Sequence, residues 1–346
     1  MRVVVCTDRI GALASFDAGA ALARAFVAAR PGTQVAVVPM GVSGSDLASA
    51  LAALGETAAF VADPDADAHH ERRSHDHGHA HAHDDAPPLG VDPASTSLGL
   101  GRVLARTLAT RPDRVVVDLT GVVTHDGGAG VLAALGATAD APLDAGAAGL
   151  AGLTAIDTAP ARALVGSTEV VAVLPPGQLG DMLLGLRGLT ARRGHAAGTD
   201  PAVMLATDAA LGTLAGALGV PDAPGLGAAG GTALALAALG AWTTTGPALC
   251  AHVAGLERTA SVADVLVTGA DRVDFVSRGG HVVAEVAALG ERALRPVVVA
   301  AREVDVSARE LRAYGVEVAY ALGGDPSMDA EALTRSASGL ATSWTW

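Results

Sequence analysis

A glycine-rich turn in the first half of the chain has the residue types of a small-anion site. Asp126, Gly127 and Gly128 lie between an apolar run at residues 114–119 and a segment of helical period. Backbone N–H groups at such a strand-to-helix turn can receive a phosphate or a carboxylate. A second interpretation stays open, in which Asp126 caps the helix of an ordinary tight turn. His125 could hydrogen-bond a small acid or shuttle a proton, but its setting favours a partly exposed turn residue.

Charged residues also follow other predicted strands. Asp8 stands directly after the apolar run 2–6, at the kind of strand end where α/β proteins bind ligands. It could contact a substrate or a metal, or it could cap the next turn. Arg272 and Asp274 follow the run 264–268, and they could form a structural ion pair or face the same ligand.

A literal GxGxxG motif occurs at residues 225–230. A dinucleotide fingerprint requires a strand before the motif and an acidic residue about 20 positions after its start. Here the motif follows the segment PDAP at residues 221–224, and an acidic residue at the expected offset is missing. Dinucleotide binding is therefore not predicted.

Histidines are concentrated in one low-complexity segment, which we predict to be a flexible insert at residues 63–90. Alternating histidines would lie on one side of an extended chain and could bind Zn²⁺ or Ni²⁺. A specific site needs ligands that a second layer of hydrogen bonds holds in place. The pattern therefore favours adventitious metal affinity over metal storage, metal delivery or a defined centre. The five alternating histidines are His75, His77, His79, His81 and His83.

The composition restricts the chemistry further. The chain contains no lysine, since all 23 residues counted as Lys or Arg are arginine; this excludes a P-loop lysine, a Schiff base and a lysine clamp on a phosphate. The net charge of −13 argues against a nucleic-acid partner or an anionic membrane surface, because both need a basic patch. Cys6 and Cys250 are too few for a disulfide framework. We predict that the apolar stretch 203–220 is a buried helix, not a membrane span, and that the protein is cytoplasmic.

The elements that must position these residues alternate in type along the chain. Short Val-rich runs are separated by longer Ala/Leu-rich stretches of helical period, which is typical of βαβ units and a parallel sheet. We predict an α/β protein in which residues 1–62 and 255–346 form a Rossmann- or flavodoxin-like lobe with a parallel sheet. Residues 91–254 form a second α/β lobe inserted into the first. The strands of the first lobe are predicted around residues 3–5, 35–38, 265–267, 297–299 and 316–318.

Several motifs, all in the same order, resemble those of the bacterial glycerate kinases of the first type. Residues 113–136 are similar to a strand followed by G-G-S-A-T-N-D-G-G-A-G and a helix in that family. Residues 95–101 resemble its T-T-S-Y-G-T-G helix entry, and residues 225–231 its G-A-G-A-A-G-G segment. Residues 263–274 resemble its A-D-L-V-I-T-G-E-G-R-x-D segment, and the resemblance covers nearly the whole chain except 63–90. The matching positions in the first segment are Gly121, Thr124, Asp126, Gly127, Gly128, Ala129 and Gly130.

The resemblance implies two α/β lobes with the substrate between them, and phosphorylation of D-glycerate by ATP with Mg²⁺. A small organic acid and a nucleotide would then be the partners of the chain. The candidate catalytic residues are Asp8 and Asp126. The candidate substrate-binding residues are Arg9, Thr124, His125, Gly127, Gly128, Arg272 and Asp274. The candidate phosphate- or nucleotide-binding residues are Arg187, Gly227, Gly230 and Gly231.

Departures from the family pattern concern its charged residues. The P-D-S-F-K-G segment corresponds to residues 7–11, which keep Asp8 and lose the lysine. The glutamate of T-G-E-G is Ala270, its second glycine is Asp271, and residues 41–46 replace the acidic D-G-G-E-G-T run. Because phosphoryl transfer depends on positive charge around the transferring group, we expect a small acid to bind while kinase turnover is weak or absent. A non-catalytic protein that binds a small acid or nucleotide, or a metal-handling protein that uses the histidines, is the alternative. The arginines placed to compensate are Arg9, Arg187 and Arg272.

Overall fold

The computed structural model describes residues 1–64 and 89–345, and within this part the chain forms two compact units. Unit one comprises Met1–Glu56 and Thr245–Trp346, and unit two comprises Thr57–Thr244. Each unit is an α/β structure that contains a parallel sheet. The five alternating histidines of the predicted insert lie outside the described residues.

Unit one contains a five-stranded parallel sheet. Its strands are β1 (Arg2–Thr7), β2 (Gln34–Pro39), β9 (Val265–Val273), β10 (Val297–Val304) and β11 (Val318–Ala321). Their order across the sheet is β11-β10-β9-β1-β2, and Val3 of β1 lies opposite Val35 on one side and Val265 on the other. The prediction that these five segments are neighbours in one parallel sheet is confirmed, although the last strand begins only at Val318.

Helices flank this sheet, and its inner strands are mostly apolar before their carboxyl ends. The helices are α1 (Ser15–Ala29), α2 (Gly44–Ala53), α10 (Gly246–Val253), α11 (Leu256–Ser261), α12 (Gly280–Ala293), α13 (Ala308–Ala313), α14 (Ala330–Ser336) and α15 (Ser338–Ser343). Leu22 and Phe26 of α1 share a buried cluster with Val3 and Val5 of β1. Val4 and Cys6, whose side chains point to the opposite face of β1, are also buried, as a strand covered on both faces requires.

Unit two contains a second parallel sheet of four strands. Its strands are β3 (Ala59–Ala62), β4 (Arg114–Asp118), β7 (Glu169–Val173) and β8 (Trp242–Thr244), in this order. Two short segments, β5 (Thr138–Ala139) and β6 (Ile156–Asp157), pair antiparallel. The helices are α3 (Leu98–Ala109), α4 (Ala129–Ala134), α5 (Gly146–Gly149), α6 (Ala159–Val165), α7 (Leu189–Ala197), α8 (Pro201–Leu218) and α9 (Thr232–Ala238). Short 3₁₀ turns at Pro176–Gln178 and Ala228–Gly231 complete the unit.

The unit boundaries differ from the predicted lobes of 1–62 with 255–346 and of 91–254. Strand β3 pairs with β4, with Phe60 opposite Val116, so the chain has already entered unit two at Thr57. Helix α10 belongs to unit one, so the chain returns there at Thr245. Both differences have the same cause: strand pairing and helix packing set these boundaries, and neither is visible in composition.

Helix α8 corrects the expectation of a buried helix at 203–220. Its buried residues are Thr207, Leu211, Leu214 and Ala215, which form a single stripe at helical spacing. Only 22% of this helix is buried, because its other face carries exposed alanine and glycine. Within the described part of the chain, α8 is the single helix whose length and composition would allow it to cross a membrane, and one such helix is weak evidence.

Candidate functional site

The carboxylate of Asp126 organises the glycine-rich turn of unit two. Asp126 is fully buried, and its Oδ2 accepts hydrogen bonds from the Ser97 N–H (2.8 Å), the Ser97 hydroxyl (2.8 Å) and the Gly130 N–H (3.0 Å). Its Oδ1 accepts from the Gly128 N–H at 3.0 Å. The side chain thus joins the start of α3 to the first turn of α4, as in the capping interpretation. A catalytic role for Asp126 stays a prediction, and a substrate would have to compete with the four hydrogen bonds that the carboxylate already accepts.

The two glycine-rich segments of the sequence contact each other in unit two. The Gly127 N–H donates to the Gly230 carbonyl at 3.0 Å, and the Gly128 N–H is used by Asp126. Gly230 has a φ of +68°, and a Cβ there would lie 1.7 Å from the Thr124 carbonyl oxygen. Gly227 and Gly231 are also buried in this region. Binding of an anion by Gly127 and Gly128, or of a nucleotide by the second segment, therefore stays a prediction, and the described contacts show a packing role for both.

His125 differs from the expected partly exposed turn residue, because it is 1% exposed. Its Nε2 lies 3.0 Å from the Thr190 hydroxyl, and its Nδ1 lies 3.3 Å from Nη1 of Arg193. Since a guanidinium can only donate, Nδ1 accepts and Nε2 carries the proton that is donated to Thr190. Burial, and then the charge of Arg193, lower the pKa of His125 to about 3. The imidazole is therefore neutral at pH 7 and does not shuttle protons near neutrality.

Arg193 was not identified from the sequence. It is 9% exposed, and its Nη1 donates to the carbonyl oxygens of Val123 (3.1 Å) and Thr124 (2.7 Å). The sequence pattern predicts a helix around 179–188, whereas the structure has a loop there and helix α7 follows it. Two adjacent arginines at 192 and 193, in a chain with few charges, were the available signal. Arg187 lies exposed in the loop before α7.

A cavity of about 460 Å³ lies beside this turn in unit two. It is next to the start of α3 and to the chain that follows β3, and its size suits a small polar molecule. The hydroxyl of Thr124 is buried there without a hydrogen-bond partner among the described residues. The polar residues of the lining are Asp63, Asp92, Ser95, Thr96, Ser97 and Thr124.

In unit one, Asp8 and Arg9 follow β1 as predicted, and they lie close to a second carboxylate. Asp8 Oδ1 accepts from the Arg9 N–H at 2.8 Å, and Nη1 of Arg9 lies 3.7 Å from Oδ2 of Asp46. Burial raises the pKa of Asp8, the hydrogen bond from Arg9 opposes that change, and Asp46 adds to it. A carboxylate with a raised pKa is a better proton acceptor than an ordinary one. A catalytic role for Asp8 stays a prediction that this environment favours.

Arg272 forms the ion pair that the sequence offered as one alternative. Its Nε lies 3.2 Å from Oδ2 of Asp274. It also contacts Glu303 at 3.6 Å and Asp305 at 2.5 Å. The pKa of Asp274 is lowered, first by the hydrogen bond from the Ser277 backbone and also by Arg272. Substrate binding by either residue stays a prediction, and it would require breaking this cluster.

A second ion pair at the same end of the sheet was also missed. Asp271 and Arg302 form a bidentate pair with N–O distances of 2.6 and 2.8 Å. The hydrogen bonds with Arg302 are the main cause of the lowered pKa of Asp271, and Asp271 in turn raises the pKa of Arg302. An arginine at the end of an otherwise apolar strand was the sequence signal, but its partner could not be chosen among the neighbouring acids.

Comparison with known proteins agrees with this architecture. The chain matches the model of the Glycerate kinase family over residues 3–345. An uncharacterised protein of Mycobacterium bovis is 31% identical over 340 residues, covering 93% of this chain and 84% of that protein. The glycerate 2-kinase of Escherichia coli K12 is 26% identical over 66% of this chain and 62% of its own length. A crystal structure described as a glycerate kinase 2 of Salmonella typhimurium LT2 matches 99% of this chain and 96% of that chain, with a TM-score of 0.71 and 22% identity. This last match bears on the fold alone.

Proposed function

Because the chain belongs to the glycerate kinase family, we propose that it binds a small hydroxy acid such as D-glycerate, while its ATP-dependent phosphoryl transfer is weak or absent. The observation that carries this proposal is the environment of Arg272, one of the three arginines placed to compensate for the missing lysines. Its guanidinium lies against the carboxylates of Asp274, Glu303 and Asp305. A cation that already faces three anions has little positive potential left for a phosphate.

Few other positive charges are placed to stabilise a transferring phosphate. The chain has no lysine, and Arg9 and Arg187 are the other two predicted substitutes. The Arg9 side chain is 57% exposed, so water screens much of its charge. Removing one preorganised charge-stabilising group commonly costs ~10²–10³ in rate. If two such groups act independently, their loss lowers the rate by about 10⁴–10⁶.

The carboxylates of unit one suit a magnesium ion, whereas few cationic side chains are available there for the phosphates of a nucleotide. Asp8 and Asp46 lie near one another after β1 and β2, and Mg²⁺ is commonly held by one or two carboxylates together with substrate phosphates. These two residues would hold the ion, which would neutralise charge on a bound phosphate. Among the residues that the structure describes, there is no cluster of three or more His, Cys, Asp or Glu side chains that could hold a metal. Because Arg272 is already paired with three carboxylates and Arg9 is exposed, we expect weak nucleotide binding.

The proposed acid site lies beside Arg9 in unit one. A groove of about 520 Å³ is lined there by Arg9, Gly11, Ala12, Asp271, Pro326 and Ser327. The guanidinium of an arginine can pair with a carboxylate through two parallel hydrogen bonds. Asp8, with its raised pKa, can accept the hydrogen bond of a neighbouring hydroxyl. A hydroxy acid supplies both groups within a few bonds.

Thermal-shift titration of the full chain tests acid binding. D-glycerate at a hundred times its Kd should stabilise the protein by about 2.7 kcal/mol, which is a measurable rise in Tm. Arg9→Met should abolish this rise, whereas Arg30→Met, which removes another exposed arginine of unit one, should preserve it. A rise that survives Arg9→Met would refute the proposed site, and no rise in the native chain would refute acid binding.

A coupled kinase assay with ATP, Mg²⁺ and D-glycerate tests the second half of the proposal. Turnover should lie well below the ~1–100 s⁻¹ that is usual for kinases. Turnover within that range, lost in Asp8→Asn and retained in Arg30→Met, would show an ordinary kinase. A metal-handling function of the alternating histidines stays a prediction, since those residues lie outside the described part of the chain.

A further inference from the structure

The ion pair of Asp271 and Arg302 also holds the loop that follows β1. Oδ1 of Asp271, which accepts from Nε of Arg302 at 2.6 Å, also accepts from the backbone N–H of Gly11 at 2.9 Å. Nη1 of Arg302 donates to the Gly324 carbonyl at 3.2 Å, in the segment after β11. One pair of side chains therefore contacts two loops that emerge from different strands of the unit-one sheet.

We propose that Asp271 and Arg302 are positioning residues that fix the loop at residues 8–13. Through that loop they hold Asp8 and Arg9 in place for the hydroxy acid. The inference rests on the proposed function for its ligand. It goes beyond that function because the acid is assigned to Arg9 and Asp8. Asp271 lines the groove only as an anion, which would not pair with the carboxylate of the acid, and Arg302 is not part of the groove lining.

The loop has little freedom to rearrange around this contact. Gly11 adopts a φ of +56°, and a Cβ at this position would lie 2.3 Å from the Pro326 carbonyl oxygen. The next N–H, of Ala12, donates to the same oxygen at 2.8 Å. Two successive N–H groups are thus anchored, one to Asp271 and one to the segment after β11. Arg9 precedes this anchor by two residues, so a shift of Gly11 moves Arg9 with it.

Strand geometry explains why Asp271 reaches the loop at Gly11 while the adjacent Arg272 does not. Ala301 lies opposite Ala270 and Glu303 lies opposite Arg272, so Asp271 and Arg302 face each other between these pairs. Side chains alternate between the two faces of a strand. Arg272 accordingly forms its own cluster with Asp274, Glu303 and Asp305, while Asp271 contacts Gly11.

The same alternation separates this chain from the family pattern. In the resembling segment T-G-E-G-R the carboxylate falls on the position of Ala270, whereas here it stands at Asp271. A displacement by one residue along a strand moves a side chain to the opposite face. The carboxylate of this chain therefore serves a different set of neighbours, with Arg302 as its cation.

The burial of Arg302 makes the pair a firm anchor. The Arg302 side chain is 10% exposed, while that of Asp271 is 50% exposed. A buried guanidinium that loses its carboxylate cannot be rehydrated in place, so it would seek other acceptors and disturb its surroundings. Each partner also shifts the pKa of the other in the direction that keeps both charged.

Hydrogen exchange and ligand affinity together test the proposal on the full chain. Asp271→Ala removes the acceptor of the Gly11 N–H, and exchange at Gly11 should become about ten- to a hundredfold faster. The Kd for D-glycerate should rise at least about tenfold. Arg302→Met should give the same two effects. Arg302→Lys keeps the charge, so its Gly11 exchange rate and its Kd should lie between those of Arg302→Met and the native chain.

Glu317→Ala is the matched control, because it also removes a carboxylate of unit one that is paired with an arginine, here Arg312 at 3.4 Å. It should leave both the Gly11 exchange rate and the Kd near their native values. If Asp271→Ala only lowers Tm and changes these two readings no more than Glu317→Ala does, the pair is merely structural and the inference is wrong. If the native chain binds no glycerate, the proposed function has failed. The exchange rate at Gly11 then decides by itself whether the pair fixes the loop.

Discussion

Replacing Asp126 with alanine separates a structural carboxylate from a catalytic one. The change removes the acceptor of four hydrogen bonds, and the N–H groups of Ser97, Gly128 and Gly130 lose their partner in a buried region. An unsatisfied buried donor costs about 1–3 kcal/mol, and some relaxation is expected, so the total loss of stability should be about 3–5 kcal/mol. For a unit the size of unit two this corresponds to a fall in Tm of roughly 6–20 °C. Calorimetry of the purified variant measures it.

Asp157→Ala is the control for this measurement. Asp157 is exposed, and its carboxylate accepts from the Ala159 N–H at 2.8 Å at the start of α6. Loss of such an exposed cap costs about 1 kcal/mol or less. The assignment of Asp126 as the organiser of the turn would be refuted if Asp126→Ala kept its Tm within about 2 °C of the native chain and lost glycerate binding. That combination would make Asp126 a ligand-contacting group.

Two further perturbations test other parts of unit two. Gly230→Ala places a Cβ 1.7 Å from the Thr124 carbonyl oxygen at a φ of +68°. We expect the free energy of unfolding, measured in urea, to fall by at least about 3 kcal/mol. A near-native free energy of unfolding would contradict the close approach of the two segments. The depressed pKa of His125, about 3, means that the unfolded chain binds a proton there between about pH 6.5 and pH 3 while the folded chain does not. Stability from this group is therefore present above pH 6.5 and is lost as pH falls through that window, by about 2 kcal/mol between pH 6.5 and pH 5. His125→Asn should remove this part of the pH dependence, and identical curves for native and variant chains would show that His125 titrates normally.

The sheet of unit one was predictable because its central strands β1, β9 and β10 are buried on both faces. Residues such as Val3, Val4 and Val5 form continuous apolar runs, and this pattern needs no knowledge of the partner strand. Strand β3 was not assigned to its sheet, because it has four residues and only its pairing with β4 reveals its membership. The local hydrophobic pattern thus predicts most strands and helices, while the unit boundaries depend on contacts between segments distant in sequence.

The candidate site was predictable in its residues and much less so in their environments. Asp126 and its glycines stood out by spacing, yet the contact between Gly127 and Gly230 joins segments about one hundred residues apart. The burial of His125 depends on a helix that the pattern misplaced, since both Thr190 and Arg193 come from α7. The partner of Asp271 could not be chosen without the register of β9 and β10.

The interruption of unit one by unit two has a consequence for the order of events during translation. Strands β1 and β2 leave the ribosome before unit two, but the other neighbour of β1 is β9, which begins at Val265. At ~5–20 residues per second, synthesis of the intervening chain takes about 10–40 s. All of unit two emerges within this interval and can fold on the nascent chain, while one edge of β1 still awaits its partner. An unpaired apolar strand edge is a template for aggregation, so the first 56 residues are the part of this protein for which we expect the greatest dependence on chaperones during synthesis.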